Sequence, residues 1–147
     1  MILDERAEFC DATTATGTDA SAIVGDVMDT GNFTKDHGAS GEPIYLVIQV
    51  TTAYSGGTSV AFELRTSTLP ALTGGTTTTL LSTSAIAVAT AVAGYTLVYA
   101  LPSNTYQQYL GMWKVTVGAV AAGAINAFLT KNAARWRAYS DQDPGAV

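Results

Sequence analysis

The middle of the chain alternates apolar and polar side chains with a period of two, which is the pattern of a β-strand. The first such run, residues 43–54, carries a wholly aliphatic face made of Ile44, Leu46, Ile48 and Val50. After a Ser-Gly-Gly turn, residues 58–67 carry a second apolar face made of Val60, Phe62 and Leu64. We predict that both faces point into one core and that the two runs form a hairpin within one sheet.

Further strand-like segments are separated by loops rich in Gly, Pro and Asn. They lie at 22–29, 76–91, 94–102, 109–120 and 123–132, and we expect the last two to form a pair around Ala-Ala-Gly at 121–123. The pattern predicts an all-β fold, a jelly-roll sandwich of about eight antiparallel strands. We expect one domain over residues 1–147, with a short N-terminal arm or helical turn at 1–11 and a C-terminal tail at 132–147.

The composition narrows the classes of partner. The 147 residues are 48% hydrophobic, which is enough to bury the core of one domain, and the net charge of −5 argues against a nucleic acid. No Asp, Glu, Lys or Arg occurs between Arg65 and Lys114, but Thr, Ser, Gly and Pro interrupt this interval, so we expect no membrane span. The single Cys10 can form no internal disulfide, and the first residues lack the apolar core of a secretory signal. Both observations favour assembly in the cytoplasm.

The candidates for chemistry are few. The one imidazole, His37, lies between Asp36 and Glu42 in a Gly-rich loop, where a carboxylate could orient it as a base. That spacing does not supply the geometry of a catalytic triad, and we interpret His37 as a solvated loop residue. Asp26, Asp29 and Asp36 lack the register of a calcium loop. We therefore predict no enzymatic activity, no metal site and no cofactor, and an unrecognised hydrolase is only a distant alternative.

The aromatic residues leave a second function open. Exposed rings on strands can form a platform that stacks on sugars, although scattered tyrosines are more often half-buried packing. The candidates are Tyr45, Tyr54, Tyr95, Tyr99, Tyr106, Tyr109, Trp113, Trp136 and Tyr139. The alternative function is therefore that of a carbohydrate-binding or receptor-binding jelly-roll domain. A concave groove that combined carboxylates with aromatic rings would favour it.

The two ends of the chain carry opposite charge and form the candidate protein-interface residues. Residues 1–42 hold nine acidic residues against two basic ones, whereas 131–137 hold three basic residues and no acid. Trp and Arg are the residue types that most often anchor protein interfaces. The candidate interface residues are Lys131, Arg135, Trp136, Arg137 and Tyr139 at one end, and Asp4, Glu5 and Glu8 at the other.

Three segments, in this order, carry a resemblance to a known family. They are MILDERAEFCDAT at 1–13, GEPIYLVIQV at 41–50 and YLGMWKVTVGAVAAGAINAFLTKN at 109–132. Together they are similar to the capsid cement, or decoration, proteins of short-tailed bacteriophages of the Bordetella phage type. The resemblance implies a small jelly roll that lies on the outside of a phage capsid and ties neighbouring capsomers together without enzymatic activity.

The same resemblance implies the partners and the location. We expect the protein to be made in the cytoplasm of the bacterial host and to lie on the outer capsid surface of the virion. Its partners would be the major capsid protein and further copies of itself, with a dimer favoured because two-fold association is the commonest symmetric arrangement. The family has no catalytic residue that could be assigned to a position in this chain.

Overall fold

The computed structural model describes residues 7–31, 36–39, 41–74 and 76–132. The regular structure in these ranges is almost entirely β, as the alternating pattern predicted. The strands are β1 (Glu8–Thr14), β2 (Gly17–Thr18), β3 (Ser21–Asp29), β4 (Tyr45–Gly56), β5 (Ser59–Ser67), β6 (Thr78–Ser82), β7 (Ile86–Ala87), β8 (Thr96–Ala100), β9 (Tyr109–Val117) and β10 (Ala119–Thr130).

The strands form two antiparallel sheets. Sheet A has the order β1-β10-β4-β8, with the short β2 paired to β10, and sheet B has the order β3-β9-β5-β6, with the short β7 paired to β5. If the short β2 and β7 are left out, each strand is followed along the chain by a strand of the other sheet. The one exception is β6, which follows β5 within sheet B. Two four-stranded sheets joined in this way are the jelly-roll arrangement, so the predicted fold is confirmed.

The predicted strand pairings at two turns are wrong. β4 pairs with β10 and β8, whereas β5 pairs with β9, β6 and β7, so the two strands lie in opposite sheets and do not form a hairpin. β9 and β10 are also in opposite sheets; the chain turns at Gly118, and residues 121–123 lie inside β10. An alternating pattern shows which face is buried but not whether the next strand lies beside it or opposite it.

The N-terminal segment contains a strand that the sequence pattern did not reveal. Residues 8–11, assigned to an arm or helical turn, belong to β1, which pairs with β10 from Glu8 opposite Phe128 to Thr14 opposite Ala124. The register shifts twice within this short strand, between Glu8 and Cys10 and between Cys10 and Thr13. Because such bulges interrupt the period of two, β1 lacks a regular apolar face.

The core lies between the two sheets and follows the prediction. Leu46, Ile48 and Val50 of β4 face Val60, Phe62 and Leu64 of β5, and each is at most 2% exposed. Ile44 precedes β4 and is partly buried against the same cluster. The aliphatic faces of these two strands therefore form the centre of the sandwich.

Two glycine turns meet at one end of the sandwich, which we call the turn end. Gly57 follows β4 with φ 68°, and Gly118 precedes β10 with φ 77°, a left-handed backbone that glycine adopts without strain. A Cβ on Gly118 would lie 3.0 Å from the Cα of Gly57, and the amide of Thr58 donates to the carbonyl of Val117 at 2.7 Å. The two crossings between the sheets thus pack backbone against backbone.

The burial of the β4 face predicts the effect of Leu46→Ala. Because Leu46 is fully buried in the core, we expect the substitution to lower the free energy of unfolding by about 2 to 5 kcal/mol. Chemical denaturation monitored by circular dichroism measures this loss. Val92→Ala, at a side chain that is 51% exposed, is the matched control and should change stability by less than about 0.5 kcal/mol. A loss below about 0.5 kcal/mol for Leu46→Ala would contradict this assignment of the core.

Candidate functional site

The Asp36 carboxylate organises the loop that carries the one histidine. It accepts hydrogen bonds from the amides of Gly38 at 3.0 Å and Ala39 at 3.2 Å, within its own loop. It also accepts from the hydroxyl of Ser103 at 2.6 Å and the amide of Asn104 at 3.2 Å, in the loop between β8 and β9. These hydrogen bonds lower the pKa of Asp36, and the bond from Ser103 has the largest effect. Its role is to tie two loops together.

His37 packs against an aromatic ring. Its imidazole meets the ring of Tyr106 edge to face, with centroids 5.0 Å apart and planes at 81°. Burial raises the pKa of Tyr106 to about 12, and its hydroxyl donates to the carbonyl of Pro102 at 2.7 Å. The other neighbouring carboxylate, Glu42, forms an exposed ion pair with Lys131 at 2.7 Å. His37 is thus half-buried, and the prediction of a solvated loop residue is wrong because its ring packs on Tyr106.

An open apolar cavity lies beside His37, at the end of the sandwich opposite the turn end. Its volume is about 310 Å³, and we call it the end cavity. Its apolar lining residues are Ala7, Met28, Ile44, Leu110 and Leu129, and its polar lining residues are Thr30, His37, Thr130 and Lys131. Such a surface suits an apolar side chain of another polypeptide better than a charged substrate, because its walls offer few polar groups to orient one.

A second, smaller cavity of about 160 Å³ is acidic and lies beside Cys10. Its lining residues are Glu8, Phe9, Cys10, Asp11 and Asp26. Burial raises the pKa of Cys10 to about 12, so the thiol stays protonated and unreactive at neutral pH. No group of three or more His, Cys, Asp and Glu side chains that could hold a metal ion occurs within the described ranges. Neither cavity combines carboxylates with exposed aromatic rings.

The outer face of sheet B carries an aromatic and charged cluster that the sequence pattern did not single out. The guanidinium of Arg65 lies 4.2 Å from the ring centroid of Trp113, and its Nη2 pairs with Glu63 at 2.7 Å. The indole nitrogen of Trp113 donates to the hydroxyl of Ser21 at 2.6 Å. Glu63 and Arg65 are two residues apart and so share a strand face, which is the signal that could have indicated the pair. The cluster leaves Trp113 only 7% exposed.

The structure describes two of the predicted interface residues. Lys131 follows β10 and forms the exposed ion pair with Glu42, and Glu8 lies on β1 opposite Phe128. Lys131 lines the end cavity, whereas Glu8 lines the smaller acidic cavity. The remaining candidates lie outside the described residues: Arg135, Trp136, Arg137, Tyr139, Asp4 and Glu5.

Comparison with known proteins identifies one family. A sequence model described as Bbp16 matches residues 9–129, which is most of the chain and reaches from within β1 to within β10. No curated protein matches the chain. Within the described residues, no helix has the length and apolar character needed to span a membrane.

The hydrogen bonds to Asp36 predict a pH-dependent effect of Asp36→Asn. Because folding lowers the pKa of this carboxyl below 3.8, its charge stabilises the fold above that pH, and the stabilisation is lost as the pH falls through the lower, folded value. The wild type should therefore exceed Asp36→Asn in stability by a constant amount between about pH 5 and 7, and by less below about pH 4. Thermal unfolding over this range measures the difference. A difference that is as large at about pH 2.5 as at pH 7 would show that the charge is not the cause.

Proposed function

The chain belongs to the Bbp16 family, a Bordetella phage protein family, and on this basis we propose that it is a capsid cement protein. Family membership indicates a phage structural protein and a location in the virion. The proposed role is more specific: the protein binds the outside of the capsid and stabilises contacts between capsomers of the major capsid protein. The match over residues 9–129 carries the proposal, because it spans nearly the whole sandwich.

The architecture supports a mechanical role. β4 and β10, each of 12 residues, pair at the centre of sheet A. Their register is regular from Tyr45 opposite Thr130 to Val50 opposite Ile125, and it shifts three times between there and Gly56 opposite Val120. At the two ends of the sandwich, the Gly57 and Gly118 turns and the bonds of Asp36 hold the crossings between sheets. A protein that holds two capsomers together must transmit force without opening, and such a hydrogen-bonded ladder between packed faces suits that task.

The contacts of the titratable groups support a protein without enzymatic activity. Asp36 holds loops together, Glu42 pairs with Lys131 at the surface, and the buried Cys10 remains a thiol. Each of these three groups therefore has a role in the structure of the protein itself, and this leaves it poorly placed to act on a substrate. The inference extends the family assignment, which concerns virion structure and not catalysis.

We further propose that the partners are the major capsid protein and a second copy of this chain. A two-fold dimer would present the same surface to two neighbouring capsomers and so clamp them symmetrically. The end cavity and the half-exposed side chains of Leu69, Val92 and Val117 are described apolar surfaces on which protein contacts can form. Nucleic acid is a poor partner for a chain with a net charge of −5.

Reconstitution on capsid shells tests the proposal. Purified protein should bind expanded shells that lack it, should saturate at a fixed number of copies per shell, and should raise the temperature at which the shells disassemble. Sedimentation with quantitative gel analysis measures the stoichiometry, and calorimetry measures shell stability. Saturation is expected because cement sites repeat with the capsid lattice.

The shell-binding assay also distinguishes a cement protein from the alternative, a carbohydrate-binding or receptor-binding domain. Free mono- and oligosaccharides should leave shell binding unchanged if the protein is a cement protein. Binding to host-cell glycans, combined with no saturable binding to shells, would contradict the proposal and favour a receptor-binding domain.

A further inference from the structure

The end strands of the two sheets differ in how well they are protected from pairing with a further strand. A strand at the edge of a sheet presents unpaired N–H and C=O groups, and proteins usually blunt such edges with bulges or charged side chains. β1 carries two register shifts together with Glu8 and Asp11. β3 carries one register shift together with Asp26 and Asp29. β6 is only five residues long and shifts in register against β5. These three strands are therefore poor templates for another strand.

β8, the end strand of sheet A, has none of these protective features. It pairs with β4 in unbroken register, from Thr96 opposite Gln49 to Ala100 opposite Tyr45, and β4 is its one strand partner within the described ranges. Its sequence, Thr-Leu-Val-Tyr-Ala, contains no charge and no proline. Each of its five side chains is at least partly exposed, so the described loops do not enclose the strand. β8 is therefore an open, mostly apolar edge.

The hydrogen bonds beside β8 determine which of its backbone groups face outward. The carbonyl of Tyr95 accepts a bond from β4, and the amide of Leu101 donates one to the residue before β4, each at 2.8 Å. Backbone groups alternate in direction along an antiparallel strand, so the odd-numbered residues of β8 bond to β4 and the even-numbered residues point the other way. The N–H and C=O groups of Thr96, Val98 and Ala100 therefore lie at the open edge.

We propose that β8 is the contact surface of the dimer, and that it pairs with β8 of a second copy in antiparallel order about a two-fold axis at Val98. The inference rests on the proposed self-association and assigns it to a place on the molecule. In this register Val98 lies opposite its own counterpart, and Thr96 lies opposite Ala100 of the second copy. All the outward backbone groups of the strand then have partners.

The side chains of β8 suit a second copy of the same strand. Leu97 and Tyr99 lie opposite core residues of β4 but remain partly exposed, and the two-fold axis places Leu97 of one copy opposite Tyr99 of the other. Such aliphatic and aromatic pairs across two strands stabilise a sheet. On the outer face, Val98 lies opposite the fully buried Val47, so a Val98 pair extends an existing apolar row. A second copy always supplies this uncharged, matching sequence, which favours it over a strand of another protein.

Pairing at β8 would also serve the proposed cement function. The hydrogen-bonded ladder of β10, β4 and β8 continues without interruption into the second copy, so force applied to one copy passes through a single sheet to the other. Dimerisation can be measured in solution without capsid shells, and shell binding can be measured without reference to β8. Failure of this inference and failure of the cement proposal are therefore distinguishable.

Hydrogen exchange in the unaltered full chain tests the surface directly. We expect sedimentation to show a dimer that dissociates on dilution. In the dimer, the amides of Thr96, Val98 and Ala100 should exchange at least about tenfold more slowly than in the monomer. Those of Leu97 and Tyr99 should be protected in both states, because they bond to β4. Monomers even at millimolar concentration, a dimer in which the three outward amides remain unprotected, or protection of them that is independent of concentration would each overturn the proposal.

Cysteine cross-linking gives a second test, which works both in solution and on capsid shells. In a hydrogen-bonded antiparallel pair the two Cα atoms lie about 5.5 Å apart, within the range of a disulfide. Oxidation of Val98→Cys, at a concentration at which the unaltered protein is dimeric, should therefore give a covalent dimer. The natural Cys10 is buried and stays a thiol.

Ala100→Cys is the matched control for the cross-linking test. Residue 100 is more exposed than residue 98, but in the proposed register its two copies lie roughly 13 Å apart along the strands, so this variant should remain largely monomeric on oxidation. Equal cross-linking of the two variants would contradict the register. Protection of the outward amides only on shells, without cross-linking of Val98→Cys, would overturn the proposal and identify a strand of the capsid protein as the partner.

Discussion

The structure depends on burying two aliphatic strand faces against each other. β4 and β5 follow one another in the chain, and their apolar faces meet in one core because the two strands lie in facing sheets. The crossing between them at Gly56 and Gly57 places β4 at the centre of sheet A and β5 at the centre of sheet B. β10 and β9 then pair with these two central strands, and the crossing at Gly118 packs against the first one. Both strand pairs, β4 with β5 and β9 with β10, therefore cross from one sheet to the other, and the two crossings pack against each other.

Two buried threonines form hydrogen bonds to segments that are distant in the sequence. The buried Thr66 donates to the carbonyl of Tyr109 at 3.0 Å and accepts from the amide of Gln107 at 2.8 Å. The buried Thr116 accepts from the amide of Ala20 at 2.9 Å. Even Lys114, which lies opposite the core residue Phe62, directs its ammonium group to the carbonyl of Thr16, and burial lowers its pKa. Short hydroxyl side chains therefore join loops to strands without introducing buried charge.

Much of the fold follows from the sequence, because inward faces obey a period of two. That rule identified the β4 and β5 core from Leu46 to Leu64, and the strand count indicated the jelly roll. It failed at β1, where bulges break the period, and at the pairing of β4 with β5, because strand partners depend on contacts distant in sequence. The burial of Val47 had no sequence signal either, since an aliphatic residue on the outer face is informative only once both sheets are known.

Some features of the candidate sites could also be predicted from the sequence, and others could not. The sequence identified His37 and its neighbouring carboxylates as the place to look for chemistry, and the structure shows Asp36 bonded to Ser103 and His37 packed on Tyr106. The Arg65–Trp113 contact required the register between β5 and β9, which joins residues far apart in the chain. The predicted tail contacts lie outside the described residues. The proposed function therefore depends most on family membership.

A reconstruction of the phage particle at subnanometre resolution tests the central claim most directly. If the protein is a cement protein, jelly-roll density of this size should lie on the outer capsid surface at every equivalent junction, and each copy or dimer should contact two neighbouring capsomers. Density for the protein only in the tail or its appendages, or on the capsid without contact to more than one capsomer, would contradict the account.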